Sequence, residues 1–440
     1  MTVILALVIA ASSANSFAQS PPREKPKLND FGSSLKKLKW DPKKNESVVT
    51  GTSRAGNSDD DVVRIETTLV ICDVLVTDKQ GRPVRNLKAT DFLVSEDGVP
   101  QQVGHFVLGD SANLARSIVL IIDYSRSQFP YIADSIEAAK IFVDKLGPYD
   151  RMAIVTDDVE LLVDFTNDKR ELKKGLDSLI EKNRGSKGFL GVGGKRPQFG
   201  RSSQYSSLMA TLKEAFDDED QSPIIVFQTD GDELEYLRNP IIVHEVPPGL
   251  PPELLARVQQ EVEYKRQLQR ASVTEFSLDD VYRAVETSRA TIYTIIPRTR
   301  LIGFTYDEQL RRLAAEDDRA IATWSAASSD KLKFQARQEE RRKKLTPEIL
   351  RATIDQELKV QGALVDLAKL SGGWAEFLET RTQAADIYKR IVEDLSQRYI
   401  VGYYPTNKDH SAKRRHIRIE VKGHPEYSIT SRKSYYAQEP

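Results

Sequence analysis

Two short polar runs, each directly after an apolar strand-like run, carry the chemistry legible in this sequence. The first is Asp123-Tyr124-Ser125-Arg126-Ser127, following the wholly apolar, β-branched-rich residues 118–122. The second is Gln228-Thr229-Asp230-Gly231-Asp232, following the apolar residues 224–227. In an open parallel sheet, ligands bind in the crevice beyond the carboxyl ends of the strands, near the point where strand order reverses. A carboxylate with two hydroxyls is a set of hard oxygen donors, suited to Mg²⁺ or Mn²⁺ rather than to a soft metal. Asp230 adds a second carboxylate at the end of another central strand.

Composition excludes most other chemistry. The 440 residues include one cysteine, Cys72, so there is no intramolecular disulfide framework, cysteine-based cluster or CxxC redox site. The five histidines lie far apart and form no HExxH pair, which argues against a histidine-ligated zinc hydrolase. Lys and Arg number 64 against 65 Asp and Glu, so the chain lacks the basic excess of a nucleic-acid binder. The run Gly191-Val192-Gly193-Gly194-Lys195 looks like a phosphate loop. However, Phe189 stands where its first glycine is needed, and Arg196 where Ser or Thr should follow the lysine.

The surrounding elements must position these runs. Residues 3–11 are an unbroken apolar run, shorter than the about 20 residues a membrane span needs. Ser16-Phe17-Ala18 after it fits a cleavage site, so residues 1–18 read as a signal peptide and the mature protein as periplasmic or extracellular. No later segment is long and apolar enough to span a membrane. Residues 19–61 are polar and read as a disordered linker. Residues 62–112 read as a β-sandwich segment: Val70, Cys72, Val74 and Val76 alternate along a half-buried strand, and Asp97-Gly98 signals a hairpin. Cys72 reads as a buried strand residue. From 115 to 402, strand and helix patterns alternate, which predicts an α/β fold with a doubly wound, mostly parallel sheet. Two insertions, at about 239–276 and 303–358, interrupt it with charged helices whose faces are solvated. Residues 403–440 form a C-terminal β-segment, in which 427–434 reads as one strand. Asp157-Asp158, just after a strand, reads as a solvated turn, with a place beside the site as the alternative. Ser277-Leu278-Asp279-Asp280 reads as a capping box, and Trp374 and Phe377 as core residues.

With these runs the sequence resembles the von Willebrand factor type A domain. The resemblance rests on Asp123, Ser125 and Ser127, on Thr229-Asp230-Gly231, and on Leu367-Ala368-x-x-Ser371-Gly372-Gly373 with the last helix. The segments Val74-Leu75-Val76-Thr77-Asp78, Glu96-Asp97-Gly98 and Arg432-Lys433-Ser434-Tyr435-Tyr436 look like the acidobacterial VWFA-related proteins. The resemblance implies a metal-ion-dependent adhesion site holding Mg²⁺ or Mn²⁺ through Asp123, Ser125, Ser127 and Asp230. The family's threonine ligand has no threonine equivalent here. Alignment on Tyr205 and Leu208 puts Ser202 in its place, with Ser203 as the alternative. The metal's open position would accept the carboxylate of a protein partner. The implied function is that of an exported, non-enzymatic protein-binding module. The alternative is a scaffold with a vestigial metal site that binds partners through its charged insertions. Metal-assisted hydrolysis is disfavoured by the lack of a general base or phosphate cradle.

Overall fold

The structure, a computed structural model, describes residues 38–41, 46–49, 69–108, 115–184, 199–200, 202–216, 222–328, 331–343, 345–409, 411, 413 and 414–437. The segment read as a signal peptide, most of the linker and the glycine-rich run at 191–195 lie outside them. Within the linker, strands β1 (Leu38–Asp41) and β2 (Glu46–Val49) pair antiparallel, a difference from the disordered reading.

The next strands are β3 (Val70–Thr77), β4 (Phe92–Glu96), β5 (Val99–Gln101) and β6 (Val103–Leu108). Asp97 and Gly98 both have positive φ, 48° and 83°, as the tight β4–β5 hairpin requires. At the other end of the chain lie β13 (Tyr399–Tyr403), β14 (Arg414–Val421), β15 (Ser428–Thr430) and β16 (Ser434–Tyr436). Among the described residues these form two four-stranded sheets, ordered β15-β3-β13-β6 and β16-β14-β4-β5. They share one core, in which Cys72, Val74, Phe92, Tyr399, Val401 and Ile419 are buried. The stretch read as one strand at 427–434 is thus divided between two strands in different sheets, because the chain crosses from one sheet to the other at 431–433.

Between these ends lies the α/β unit. Its strands are β7 (Ser117–Ile122), β8 (Arg151–Thr156), β9 (Leu161–Thr166), β10 (Pro223–Gln228), β11 (Thr291–Ile296) and β12 (Ala375–Phe377). They pair in the order β12-β11-β10-β7-β8-β9, all parallel except the antiparallel edge β9. The doubly wound α/β expectation therefore holds. Strands β7 and β10 are buried at every position, as central strands covered on both faces must be. Val119 and Ile121 face one core; Ile118, Leu120 and Ile122 face the other.

The helices are α1 (Ile132–Lys145), α2 (Lys169–Arg184), α3 (Gln204–Glu214), α4 (Pro252–Ser272), α5 (Leu278–Thr287), α6 (Tyr306–Ala327), α7 (Lys331–Arg342), α8 (Pro347–Ser371) and α9 (Ala384–Gln397). Helices α3, α5 and α8 cover one face through residues such as Leu208, Val281 and Leu364. Helices α1, α2 and α9 cover the other through Phe142, Leu176 and Tyr388. Ser277 and Asp280 close the expected capping box on α5. The insertion boundary at 358 falls inside α8, which runs unbroken from the insertion into the core until Gly372 ends it at φ 86°. No helix among the described residues is long and apolar enough to cross a membrane.

Gly373 sits against the backbone of β11. A Cβ there would meet the Ile292 carbonyl, with its carbon at 2.8 Å, and backbone cannot step aside. Gly373→Ala should destabilise the chain by at least about 2 kcal/mol, read as a lower urea midpoint at unchanged m-value. An unchanged midpoint would contradict this packing.

Candidate functional site

From β7 the chain continues to β8 on one side and later to β10 on the other, so strand order reverses between β7 and β10. The loops carrying Asp123 and Asp230 flank this switch point. Asp123 is 1% exposed. Its Oδ1 accepts from the Ser125 backbone N–H at 2.9 Å. Its Oδ2 accepts from Gln204 Nε2 and from the Thr229 hydroxyl, both at 2.9 Å. Ser125 and Ser127 project their hydroxyls to within 2.9 Å of each other. Gln204 in turn accepts the Glu233 backbone N–H at 3.0 Å, so its side chain ties three loops together.

Asp157, after β8, is also fully buried, which corrects the solvated-turn reading. Its carboxylate accepts the backbone N–H groups of Tyr124 at 3.1 Å and Ser202 at 2.8 Å. Its carbonyl accepts the Ser203 N–H at 3.0 Å. Ser202 is thereby held at φ 58°, an uncommon conformation for a residue with a side chain. The loop with Ser202 and Ser203 thus docks on the end of β8, beside the Asp123 loop, and Gly200 bridges to Ser125.

Asp230 is 1% exposed. Its Oδ2 lies 3.4 Å from Arg298 Nη2, which is also 3.4 Å from Asp232 Oδ1. Arg298 Nη1 donates to Glu357 of α8 at 2.6 Å. Helix α6 reaches the same rim: Tyr131 donates to Glu316 at 3.0 Å, and the Trp324 ring stacks on Phe129 with centroids 4.3 Å apart. Arg126, inside the first loop, lies over Trp324 at 5.2 Å. The 303–358 insertion therefore lines the site instead of standing apart in solvent.

A central parallel sheet, one antiparallel edge, helices on both faces and an Asp-x-Ser-x-Ser loop beside a Thr-Asp-Gly loop at the switch point make a recognisable arrangement. In this arrangement the α/β unit resembles the von Willebrand factor type A domain. Solved structures with which it is similar include the vWF domain of the type V pili tip protein Mfa5 from Porphyromonas gingivalis. That match has 12% identity and a TM-score of 0.32, covering 64% of this chain and 94% of that one. A von Willebrand factor type A protein from Catenulispora acidiphila matches with 9% identity and a TM-score of 0.28, over 85% of this chain and 74% of that one. The manganese-loaded TRAP protein of Plasmodium vivax matches with 11% identity and a TM-score of 0.26, over 78% of this chain and 97% of that one. Against a three-domain portion of Mfa5, the match spans only 26% of that chain. No protein-family model and no curated protein matches the chain.

Within this α/β unit, Asp123, Ser125, Ser127 and Asp230 come together, and the Ser202 backbone joins them through Asp157. Among the described residues no group of three or more His, Cys, Asp and Glu side chains is placed to hold a metal ion, so any such site depends on its hydroxyls. Gln204 and Arg298 are the participants that sequence reasoning missed, and Asp157 is one that it ranked below a solvated turn. Burial, and after it the neighbouring Asp230, pushes the Asp123 carboxyl up to about 7. Burial and then Asp123 push Asp157 well above the usual carboxyl range. Burial and Asp230 push Asp232 up to about 8, against the opposing pull of Arg298. Each carboxyl holds its proton more tightly folded than unfolded. The folded state therefore binds more protons across this window, and stability falls as pH rises through it. In EDTA the melting temperature should decline from about pH 4 to about pH 8, and Asp123→Asn should flatten part of that slope. A profile that rises with pH across the window in differential scanning fluorimetry would refute this account.

Proposed function

We propose that the chain is an exported protein-binding module whose site holds Mg²⁺ or Mn²⁺ and presents it to a carboxylate of a partner protein. The observation that carries the reading is the pair of hydroxyls on Ser125 and Ser127, 2.9 Å apart beside the buried, neutrally bonded Asp123. Neighbouring corners of an octahedron with metal–oxygen distances of about 2.1 Å are about 3 Å apart. The residues fit the group in charge as well. The donors to Asp123 and Asp157 are amides and hydroxyls, so a divalent cation would supply the positive charge they lack.

In this reading Ser125, Ser127 and Ser202 supply hydroxyl oxygens, and Asp123 and Asp230 flank them; Ser203 is the alternative to Ser202. Serine lacks the methyl group that restricts a threonine's rotamers, so more freedom is lost on binding. Thr229 and Gln204 orient Asp123 and keep its Oδ2 fixed. When bound, the ion supplies a Lewis-acidic position open to a carboxylate. The reading is one of binding rather than catalysis. His244, the histidine nearest Asp230 in sequence, is buried facing Glu235 at 3.4 Å and offers no general base here. Export rests on residues 1–18.

Calorimetric titration with MgCl₂ and MnCl₂ tests the site. Wild type should bind at millimolar concentration or below, and Asp123→Ala should lose binding at least about tenfold, as expected when one charged ligand is removed. Equal binding by Asp123→Ala, or none by wild type, would overturn the metal reading. For the partner, pull-down from periplasmic extract in Mg²⁺ should retain proteins that EDTA and Asp123→Ala both release. Retention indifferent to EDTA would instead favour a metal-independent scaffold.

A further inference from the structure

Arg298 lies two residues past β11, the strand next to β10, and is 4% exposed. Its guanidinium is shared unequally. The bond to Glu357 is short, at 2.6 Å, whereas Asp230 and Asp232 lie at 3.4 Å each. Buried Arg298 thus stands against Glu357, Asp230 and Asp232, and the proposed function assigns Asp230 to the metal. A guanidinium is charged at any physiological pH and cannot shed its proton to make room. A divalent ion approaching Asp230 meets this fixed positive charge in a poorly solvated setting, where like charges repel far more strongly than in water. Arg298 also neutralises part of the negative field that would draw the ion in.

We propose that Arg298 is an internal cation that competes with the divalent ion for Asp230 and so sets the metal affinity of the site. The inference rests on the metal-binding reading above and deepens it. It connects the site to the insertion, because Glu357 belongs to α8 and holds the guanidinium by the shortest of the three contacts. When Glu357 retains Arg298, Asp230 is engaged only at the longer distance.

The test is Mn²⁺ binding to the full chain, followed by electron paramagnetic resonance of the free ion. The variants are Arg298→Gln, the charge-balanced pair Arg298→Gln with Glu357→Gln, and each of these combined with Asp230→Asn. Arg298→Gln should bind Mn²⁺ about tenfold more tightly than wild type, a coupling typical of two ligands linked through one site. Asp230→Asn should erase that gain, because the competition acts through Asp230. A merely structural role for Arg298 would not give that non-additivity. Should Arg298→Gln alone fail to fold by circular dichroism, the charge-balanced pair carries the comparison, since losing Glu357 together with Arg298 leaves the net charge of the cluster unchanged. Mn²⁺ binding by wild type that is unchanged or weakened in folded variants overturns the inference and leaves the metal reading standing. A gain that survives Asp230→Asn overturns it likewise. Absence of Mn²⁺ binding from wild type and every variant overturns both.

Discussion

A carboxylate buried at the end of a wholly apolar strand must find donors wherever the chain can bring them, and Asp123 draws its donors from three loops. Ser125 comes from its own loop, Gln204 from the start of α3, and Thr229 from the end of β10. Leaving a buried polar group of this kind unsatisfied costs roughly 1–3 kcal/mol. The three loops are therefore committed to one another before any ligand arrives. Asp157 repeats the arrangement one strand over, holding Tyr124 and Ser202 by their backbones. Hydrogen bonds favour the charged form of each group, yet burial and mutual repulsion outweigh them, as the upward shifts of Asp123 and Asp157 record. The rim of the sheet is thus built around more negative charge than its immediate donors neutralise.

That charge reaches the insertion. Helix α8 is anchored in the core by Val360, Leu364 and Leu367, while its first half packs against α6 through Ile354 and Leu313. Because one helix spans both regions, Glu357 is carried to the site on a rigid element whose far end is fixed under β11. Helix α6 adds Glu316 against Tyr131 and Trp324 against Phe129. An offset aromatic pair of this kind contributes about 0.5–1.5 kcal/mol beyond its buried area. A segment whose composition suggests a solvated appendage is tied to the binding loops by ion pairs and ring contacts.

The parts of this arrangement legible in the sequence are those that depend on local spacing. Asp123, Ser125, Ser127 and Asp230 stand directly after apolar strands, and that position alone suggests a role. Cys72 lies in a strand whose alternation marks it as buried, and it is. Asp157-Asp158 has the same local signature as a surface turn. Only the strand order β10-β7-β8 makes Asp157 an inward-facing neighbour of Asp123, and strand order is not a local property. Arg298 sits in Pro297-Arg298-Thr299-Arg300, which reads as loop charge; its burial arises from α8, some 60 residues further on. The division at 358 failed to see one helix for a related reason. The charged run at 337–344 and the apolar run from 363 differ in composition, yet nothing between Pro347 and Gly372 stops a helix.

The two additions to the α/β unit are attached at opposite ends of its strands. Arg398, between α9 and β13, donates to Asp394, to the Gly372 carbonyl and to the Asp73 carbonyl of β3. Asp73 also accepts from Thr291, the first residue of β11. Arg414 of β14 pairs with Glu286, just before that same strand. These contacts join the β-sheets at the chain ends to the amino-terminal ends of the parallel strands. Asp123, Asp157 and Asp230 all follow carboxyl-terminal ends. The β-sheets can therefore brace the central sheet without covering the site, and the groups that do border the site come from α6 and α8. Sequence change in the β-sheets should reach the site only through the rigidity of the central sheet, whereas change in the insertion touches its charges directly.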